Sequence, residues 1–278
     1  MLNPQLTINC AGQLLSLESP VVMGIINVTP DSFYQGSRTL SVDSALAQAE
    51  KMLREGARII DVGGMSTRPG ADLVTEEQET SRVIPVIEAI NKRFPEVHIS
   101  IDTVHGSVAR RSAAVGAGMI NDISAGRMDP EMYATVAELD LPYVLMHMKG
   151  TPKDMQQNPA YENVSLEVLD FLIAEVGKLR ELGVKDIVLD PGFGFGKKVE
   201  DNYELLKNLD VLNIPGLPLM VGVSRKSMIY KPLNINPEEA LAGTSALHLF
   251  ALMRGAKILR CHDVKEAMQT IKLWKMLQ

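Results

Sequence analysis

Polar side chains capable of chemistry recur in this chain at one kind of place, the end of a short and almost wholly apolar run. Asn27 follows VVMGII, Asp61 sits in ARIIDV, Asp102 ends VHISID, Asn121 and Asp122 fall in GMINDI, His147 ends PYVLMH, and Asp190 ends DIVLD. Ser224 to Lys226 follow LPLMVGV, and Arg260 with His262 finishes AKILRC. One Asp or Asn in such a place is ordinary, because these residues cap helices and make turns. Repeated at eight run ends, they form a set: carboxylates and amides that hydrogen-bond a polar ligand, beside cations that hold an anion.

Four segments sharpen this picture. Residues 27 to 41 and 63 to 75 (GGMSTRPGADLVT) are longer than a strand-to-helix turn requires, so both read as lids. Arg68 and Pro69-Gly70 give the second donors and unusual backbone geometry suited to an anion, with an ordinary surface loop as the competing explanation. The segment DPGFGFGK (190 to 197) looks like a phosphate loop, but Gly192 and Gly196 are too closely spaced for the nucleoside-triphosphate motif. Phe193 and Phe195 there either wall a flat ligand or pack the loop against a rim. SRKS (224 to 227) sets two cations at the start of a short helix, where barrels hold phosphate or carboxylate. Alternation puts Arg260 and His262 on one face as an anion pocket, although Lys226 and Arg260 also suit salt bridges to Asp102 or Asp190. His98, His105 and His248 have no metal-ligand spacing.

The elements that must position these groups are legible from periodicity. Eight strand-like runs (21–26, 57–62, 97–102, 118–123, 142–147, 186–190, 217–223 and 256–261) alternate with helical patterns at 43–55, 76–92, 106–115, 130–139, 163–182, 200–209, 237–254 and 264–275. Strands apolar on both faces belong to a covered parallel sheet. No Gly-x-Gly-x-x-Gly follows the first run, so the expectation is a closed (β/α)8 TIM barrel rather than an open doubly wound sheet. In a barrel the working residues gather at the C-terminal strand ends, where the polar set lies. Residues 5 to 17 read as a hairpin about Ala11-Gly12-Gln13 that plugs one end. The domain reading is therefore a hairpin over 1–19, part of the same unit as the barrel over 20–278.

Composition narrows the function classes. Hydrophobic residues make up 46% of the chain and aromatics 5%, which supplies a core but no platform for stacking nucleic-acid bases. A net charge of -6 disfavours a phosphate-backbone partner and leaves room for a small anionic substrate. Cys10 and Cys261 have no zinc or disulfide spacing, and no apolar segment has signal-peptide or membrane-span character, so a cytoplasmic protein is expected. The helical pattern over 237–253 is apolar around more of its circumference than one stripe requires, which predicts a homodimer.

The segments GIINVTPDSF (24–33), DVGGMSTRPG (61–70), IDT (101–103), INDISAG (120–126), DPGFGFGK (190–197), GVSRKS (222–227) and RCHDV (260–264), in that order, resemble the dihydropteroate synthase family of pterin-binding TIM barrels. The likeness runs from about residue 20 to the end. It implies condensation of 6-hydroxymethyl-7,8-dihydropterin diphosphate with p-aminobenzoate, with loss of pyrophosphate. It implies further that Asp102, Asn121, Asp190 and Lys226 hold the pterin, and that Arg260 flanks it. Arg260, His262 and Asn27 would meet the diphosphate, with Asn27 also contacting Mg2+. Thr67, Arg68, Pro69, Phe33 and Phe195 would line the p-aminobenzoate pocket, and Ser227 would receive its carboxylate. Catalysis would rest on Asp102, Lys226 and Arg260, which stabilise charge as the carbon–oxygen bond breaks before the arylamine attacks. The rival readings are a methyltetrahydrofolate:corrinoid methyltransferase, a Schiff-base aldolase using Lys226, and a non-catalytic pterin-binding protein.

Overall fold

The computed structural model describes residues 7–28, 38–65, 74–155, 157, 159–213 and 217–278, with the side chains of 38–41 left aside. Eight parallel strands close into a barrel in the order β10-β3-β4-β5-β6-β7-β8-β9. They are β3 (Val21–Asn27), β4 (Ile59–Gly63), β5 (His98–Asp102), β6 (Met119–Asp122), β7 (Tyr143–Met146), β8 (Ile187–Asp190), β9 (Leu219–Val221) and β10 (Ala256–Cys261). Between and after them run α1 (Arg38–Glu55), α2 (Glu76–Arg93), α3 (Gly106–Ala114), α4 (Met132–Leu139), α5 (Val164–Glu181), α6 (Val199–Lys207), α7 (Ser227–Leu233), α8 (Leu241–Met253) and α9 (Val264–Lys275).

Alternation along the strands splits each apolar run between two environments. One set of side chains, among them Val22, Ile26, Ile60, Val62, Ile99, Ile101, Ile120, Leu145, Ile187, Leu189, Leu219 and Leu259, packs outward in the main core beneath the helices. The other set points inward. Val21, Met23, Ile59, Met119, Val144, Val188, Met220 and Ile258 fill the barrel floor. Further along the same inward faces stand Asn27, Asp61, Asp102, Asn121, Asp190 and Arg260. The lower interior is thus mainly apolar and the upper interior polar; strand parity separates inward from outward side chains, and height along the strand separates the two inward layers.

The predicted hairpin closes the floor. In β1 (Thr7–Cys10) and β2 (Gln13–Ser16), the turn residues Ala11 (φ 51°) and Gly12 (φ 88°) both take the left-handed conformation that a two-residue hairpin turn of matching twist needs. Asn9 Oδ1 accepts from Gly12 N at 2.8 Å, and Asn9 N donates to Asp186 Oδ2 at 3.0 Å. Ile8, Cys10, Leu15 and Leu17 join the floor cluster, and burial of each large aliphatic among them contributes about 1.5–3 kcal/mol. The helix entries follow local chemistry: Thr75 and Gln78 form a reciprocal capping box at α2, and Asn163 Oδ1 accepts from Leu166 N at α5.

Two expectations change. The helix predicted over 237–254 is a short 3-10 turn at Pro237–Glu239 followed by α8, because Ala240 (ψ 8°) departs from helical geometry. The first helix begins at Arg38, earlier than the periodicity from Asp43 suggests.

Candidate active site

At the top of the barrel interior, β10 carries the group around which the site is organised. The Arg260 guanidinium donates from Nε to Asp61 Oδ2 at 2.7 Å and from Nη2 to Asp102 Oδ2 at 2.6 Å, and Nη2 also lies 2.6 Å from Asp61 Oδ2. Asn121 Nδ2 donates to Asp61 Oδ2 at 3.0 Å. Four strands, β4, β5, β6 and β10, therefore contribute to one polar knot.

Its electrostatics are set by burial. Two carboxyl groups share one guanidinium, and both are buried. Burial pushes the Asp102 carboxyl up to about 7 against the pull of Arg260, and Asp61 reinforces the rise. Burial also opposes the Arg260 charge, but Asp61 and Asp102 outweigh it and hold the guanidinium more firmly protonated than usual. A group that can offer hydrogen bonds or positive charge to this knot would be well received.

A second pair stands beside the first. Asp190 ends β8 and accepts from Gly192 N at 2.8 Å; burial raises its carboxyl, while Lys226 draws it down. Lys226 precedes α7, and its Nζ donates to Phe193 O at 2.6 Å and lies 4.8 Å from the centre of the Phe195 ring. Burial lowers its pKa to about 8. Gly222 lies between this pair and the knot, for a Cβ there would sit 3.8 Å from Lys226 Nζ and 3.9 Å from Arg260 Cβ. The Arg260 charge is close enough to add to the lowering of the Lys226 pKa.

Asn27, half-buried at the end of β3, is aligned with Gly63 of β4, which is aligned with Asp102. A Cβ at Gly63 would lie 3.6 Å from Asp102 Oδ2 and 3.8 Å from Asn27 Oδ1, so glycine keeps open the gap between amide and acid. Ser227 opens α7 and is half-buried, whereas His262 lies exposed just past β10. The predicted residues Thr67, Arg68, Pro69 and Phe33 lie outside the described residues. Apolar walls are supplied by Met65, Val104, Ile123, Met146, Met148 and Met155, with Phe195 packed against them.

The two phenylalanines of the glycine loop part company: Phe193 is fully buried in the main core, and Phe195 is half-buried at the mouth. Of the two cations in SRKS, only Lys226 faces the mouth. Arg225, with φ 54°, turns away to form a bidentate pair with Asp263 at 2.8 and 2.9 Å and donates to Pro237 O and Glu238 O. Lys226 is also not the expected partner of a carboxylate at hydrogen-bond distance; a backbone carbonyl takes that place, while the salt bridge to Asp102 belongs to Arg260. Asp122 faces outward by parity, where Tyr143 Oη donates to it at 2.7 Å. Asp61 belongs to the polar set at the strand ends but carries no assigned role in the sequence reading; its position two residues beyond the inward Ile59 places it inside the barrel, where Arg260 and Asn121 both meet it.

Known proteins resemble this chain over nearly its whole length. The family model described as pterin binding enzyme matches residues 23–262. A dihydropteroate synthase of Escherichia coli strain K12 is 48% identical over 264 residues, covering 94% of this chain and 93% of its own. A Yersinia pestis dihydropteroate synthase solved with a sulfonamide drug superposes with a TM-score of 0.92 at 42% identity, covering 98% of each chain. The Xanthomonas albilineans dihydropteroate synthase solved with 4-aminobenzoic acid gives the same TM-score, identity and coverage.

Proposed function

The chain belongs to the pterin binding enzyme family, and on that premise we propose that it is a dihydropteroate synthase, joining 6-hydroxymethyl-7,8-dihydropterin diphosphate to p-aminobenzoate with release of pyrophosphate. The observation that carries this reading is the convergence of Asp61, Asp102, Asn121 and Arg260 in one hydrogen-bonded knot, with Asp190 and Lys226 beside it. A flat heterocycle with adjacent N–H donors and a departing anion needs both halves of that arrangement.

Asp190, steadied through one oxygen by Gly192 N, accepts from the pyrimidinone edge of the pterin, and Asn121 both donates and accepts at its ring nitrogens. Lys226 supports the ring from the side of the glycine loop, and Arg260 flanks it. When the exocyclic carbon–oxygen bond breaks, its electron pair leaves with pyrophosphate, and the carbon is left cationic and conjugated with the pterin. Asp102 stabilises that charge electrostatically. The arylamine nitrogen then forms the new carbon–nitrogen bond and sheds a proton to water or pyrophosphate. Phe195 walls the arylamine, Ser227 meets its carboxylate, and Arg260 and His262 hold the diphosphate; the family resemblance adds Thr67 and Arg68 as further arylamine contacts.

Mg2+ belongs to the same proposal. Among the described residues no group of three His, Cys, Asp or Glu could hold a metal, and Asn27 offers a neutral amide oxygen beside the gap at Gly63. That donor set fits an ion whose remaining ligands are diphosphate oxygens and water. The ion would neutralise charge on the departing pyrophosphate.

Ala242, Ala246, Leu249 and Met253 form an outer stripe on α8, opposite the inward Thr244, His248, Ala251 and Leu252, and Met253 is 64% exposed. A second copy of the chain is the occupant proposed for that face. Among the described residues no helix is long and apolar enough to cross a membrane. Cys10 and Cys261 are both buried and free, which suits a reducing cytoplasm.

The deciding experiment is pyrophosphate release assayed with each substrate alone and with both. Release that requires both substrates is expected. Equal release from the pterin diphosphate alone would make the enzyme a hydrolase and end the proposal.

A further inference from the structure

The glycine loop between β8 and α6 ends in a lysine, and in phosphate loops such a lysine reaches outward to the anion. Lys197 does the opposite. It is 2% exposed, and its Nζ is directed inward, donating to Gly192 O at 2.9 Å, Phe195 O at 3.2 Å and His147 O at 3.4 Å, with His147 Nδ1 at 2.9 Å. Burial lowers the His147 pKa to about 2, and the neighbouring Lys197 adds to the effect, so the ring is neutral. Its Nδ1 therefore accepts from the ammonium, and the ring proton resides on Nε2.

The loop is pressed tightly onto the chain that follows β7. At Gly192 (φ +70°) a Cβ would stand 1.9 Å from His147 O, and at Gly196 (φ +62°) it would stand 2.2 Å from Lys149 O. Asn202 fixes the remaining turn, its Oδ1 accepting from Gly194 N at 2.7 Å. The inward side of the loop is thus tied to one ammonium, and its outward side carries Phe193 O and the Phe195 ring. Those are the two features Lys226 touches.

We propose that Lys197 is a positioning residue for the synthase reaction: by drawing the carbonyls of Gly192 and Phe195 inward, it sets the Phe195 wall of the arylamine pocket and the carbonyl that aims Lys226. This rests on the function proposed above. Without the ammonium, the carbonyls of Gly192, Phe195 and His147 and the His147 imidazole nitrogen, which share its three N–H donors, lose that common partner, which is sufficient to shift the loop. Burial brings the Lys197 pKa down to about 7, Asp190 opposing the fall.

The test is K197M, which keeps the length of the side chain and removes the donor, with K197Q as the alternative if the first does not accumulate as folded protein. The KM for p-aminobenzoate is expected to rise about tenfold and kcat to fall about tenfold, in the range for loss of a charged hydrogen bond. In an F195A background the same substitution should change that KM by less than about twofold, since it acts through a ring already removed. Backbone amide exchange at Gly194 and Phe195 should become faster in the variant, whether or not turnover is measurable. A kcat loss with unaltered KM, KM effects that multiply in the double variant, or unaltered exchange would each overturn the inference. Lack of synthase activity in the unsubstituted protein would instead sink the proposed function and leave the exchange result to decide the role of Lys197.

Discussion

Asp102→Asn separates catalysis from stability, and the structure predicts opposite signs for the two. The carboxyl is lifted by burial from 3.8 to about 7, which corresponds to about 4 kcal/mol against its charged form. Above pH 3.8 the unfolded chain gives up this proton, whereas the folded chain keeps it until about pH 7, so stability falls as pH rises across that interval. Asparagine removes the penalty and still offers Arg260 an amide oxygen. Asp61 remains within 2.7 Å of the guanidinium, so no buried cation is stranded. The variant should therefore unfold no lower than the parent at pH 7. Its kcat should fall by about 10²–10³, or about 3–4 kcal/mol, as for loss of one preorganised electrostatic contributor. Steady-state pyrophosphate release and thermal unfolding in the same buffer measure both quantities. Turnover within threefold of the parent, or a large drop in unfolding temperature, would refute the electrostatic argument.

Four further outcomes follow from the same geometry. The kcat/KM profile should be a narrow bell: activity is lost below about pH 7 as Asp102 takes up its proton, and it is lost above about pH 7 to 8 as Lys197 and then Lys226 give theirs up, and a flat profile from pH 5.5 to 9 would contradict those assignments. Gly192→Ala should abolish activity and cost at least about 3 kcal/mol of stability, because its Cβ would overlap His147 O; near-parental unfolding would show that the loop has another packing. Sulfonamides should compete with p-aminobenzoate, raising its apparent KM without changing the maximal rate, and initial rates indifferent to saturating drug would remove Phe195 and Ser227 from the pocket. Light scattering should report twice the chain mass, and Met253→Glu should halve it; a parent that is monomeric at every concentration would leave the outer stripe of α8 without its proposed occupant.

The sequence by itself determined the barrel and the rim on which its chemistry lies. Eight apolar runs, each followed by a helical period, leave a closed parallel sheet as the economical solution, and polar residues at run ends must then share one end of the cylinder. Family motifs added the substrates, since spacing alone could separate a ligand-binding set from turn residues but could not identify a pterin. Tertiary structure decided the partnerships. Arg260 stands 199 residues from Asp61 and 158 from Asp102, and no local pattern reports that one guanidinium bridges both or that Lys226 is aimed by a backbone carbonyl. It also decided which residue of each similar pair does the work: Asn121 inward and Asp122 outward, Lys226 at the mouth and Arg225 locked to Asp263, Phe195 at the rim and Phe193 in the core. The physical reason is that residue type and period are properties of a segment. Which cation meets which carboxylate depends instead on how strands far apart in the chain come into register, and on the burial that register imposes.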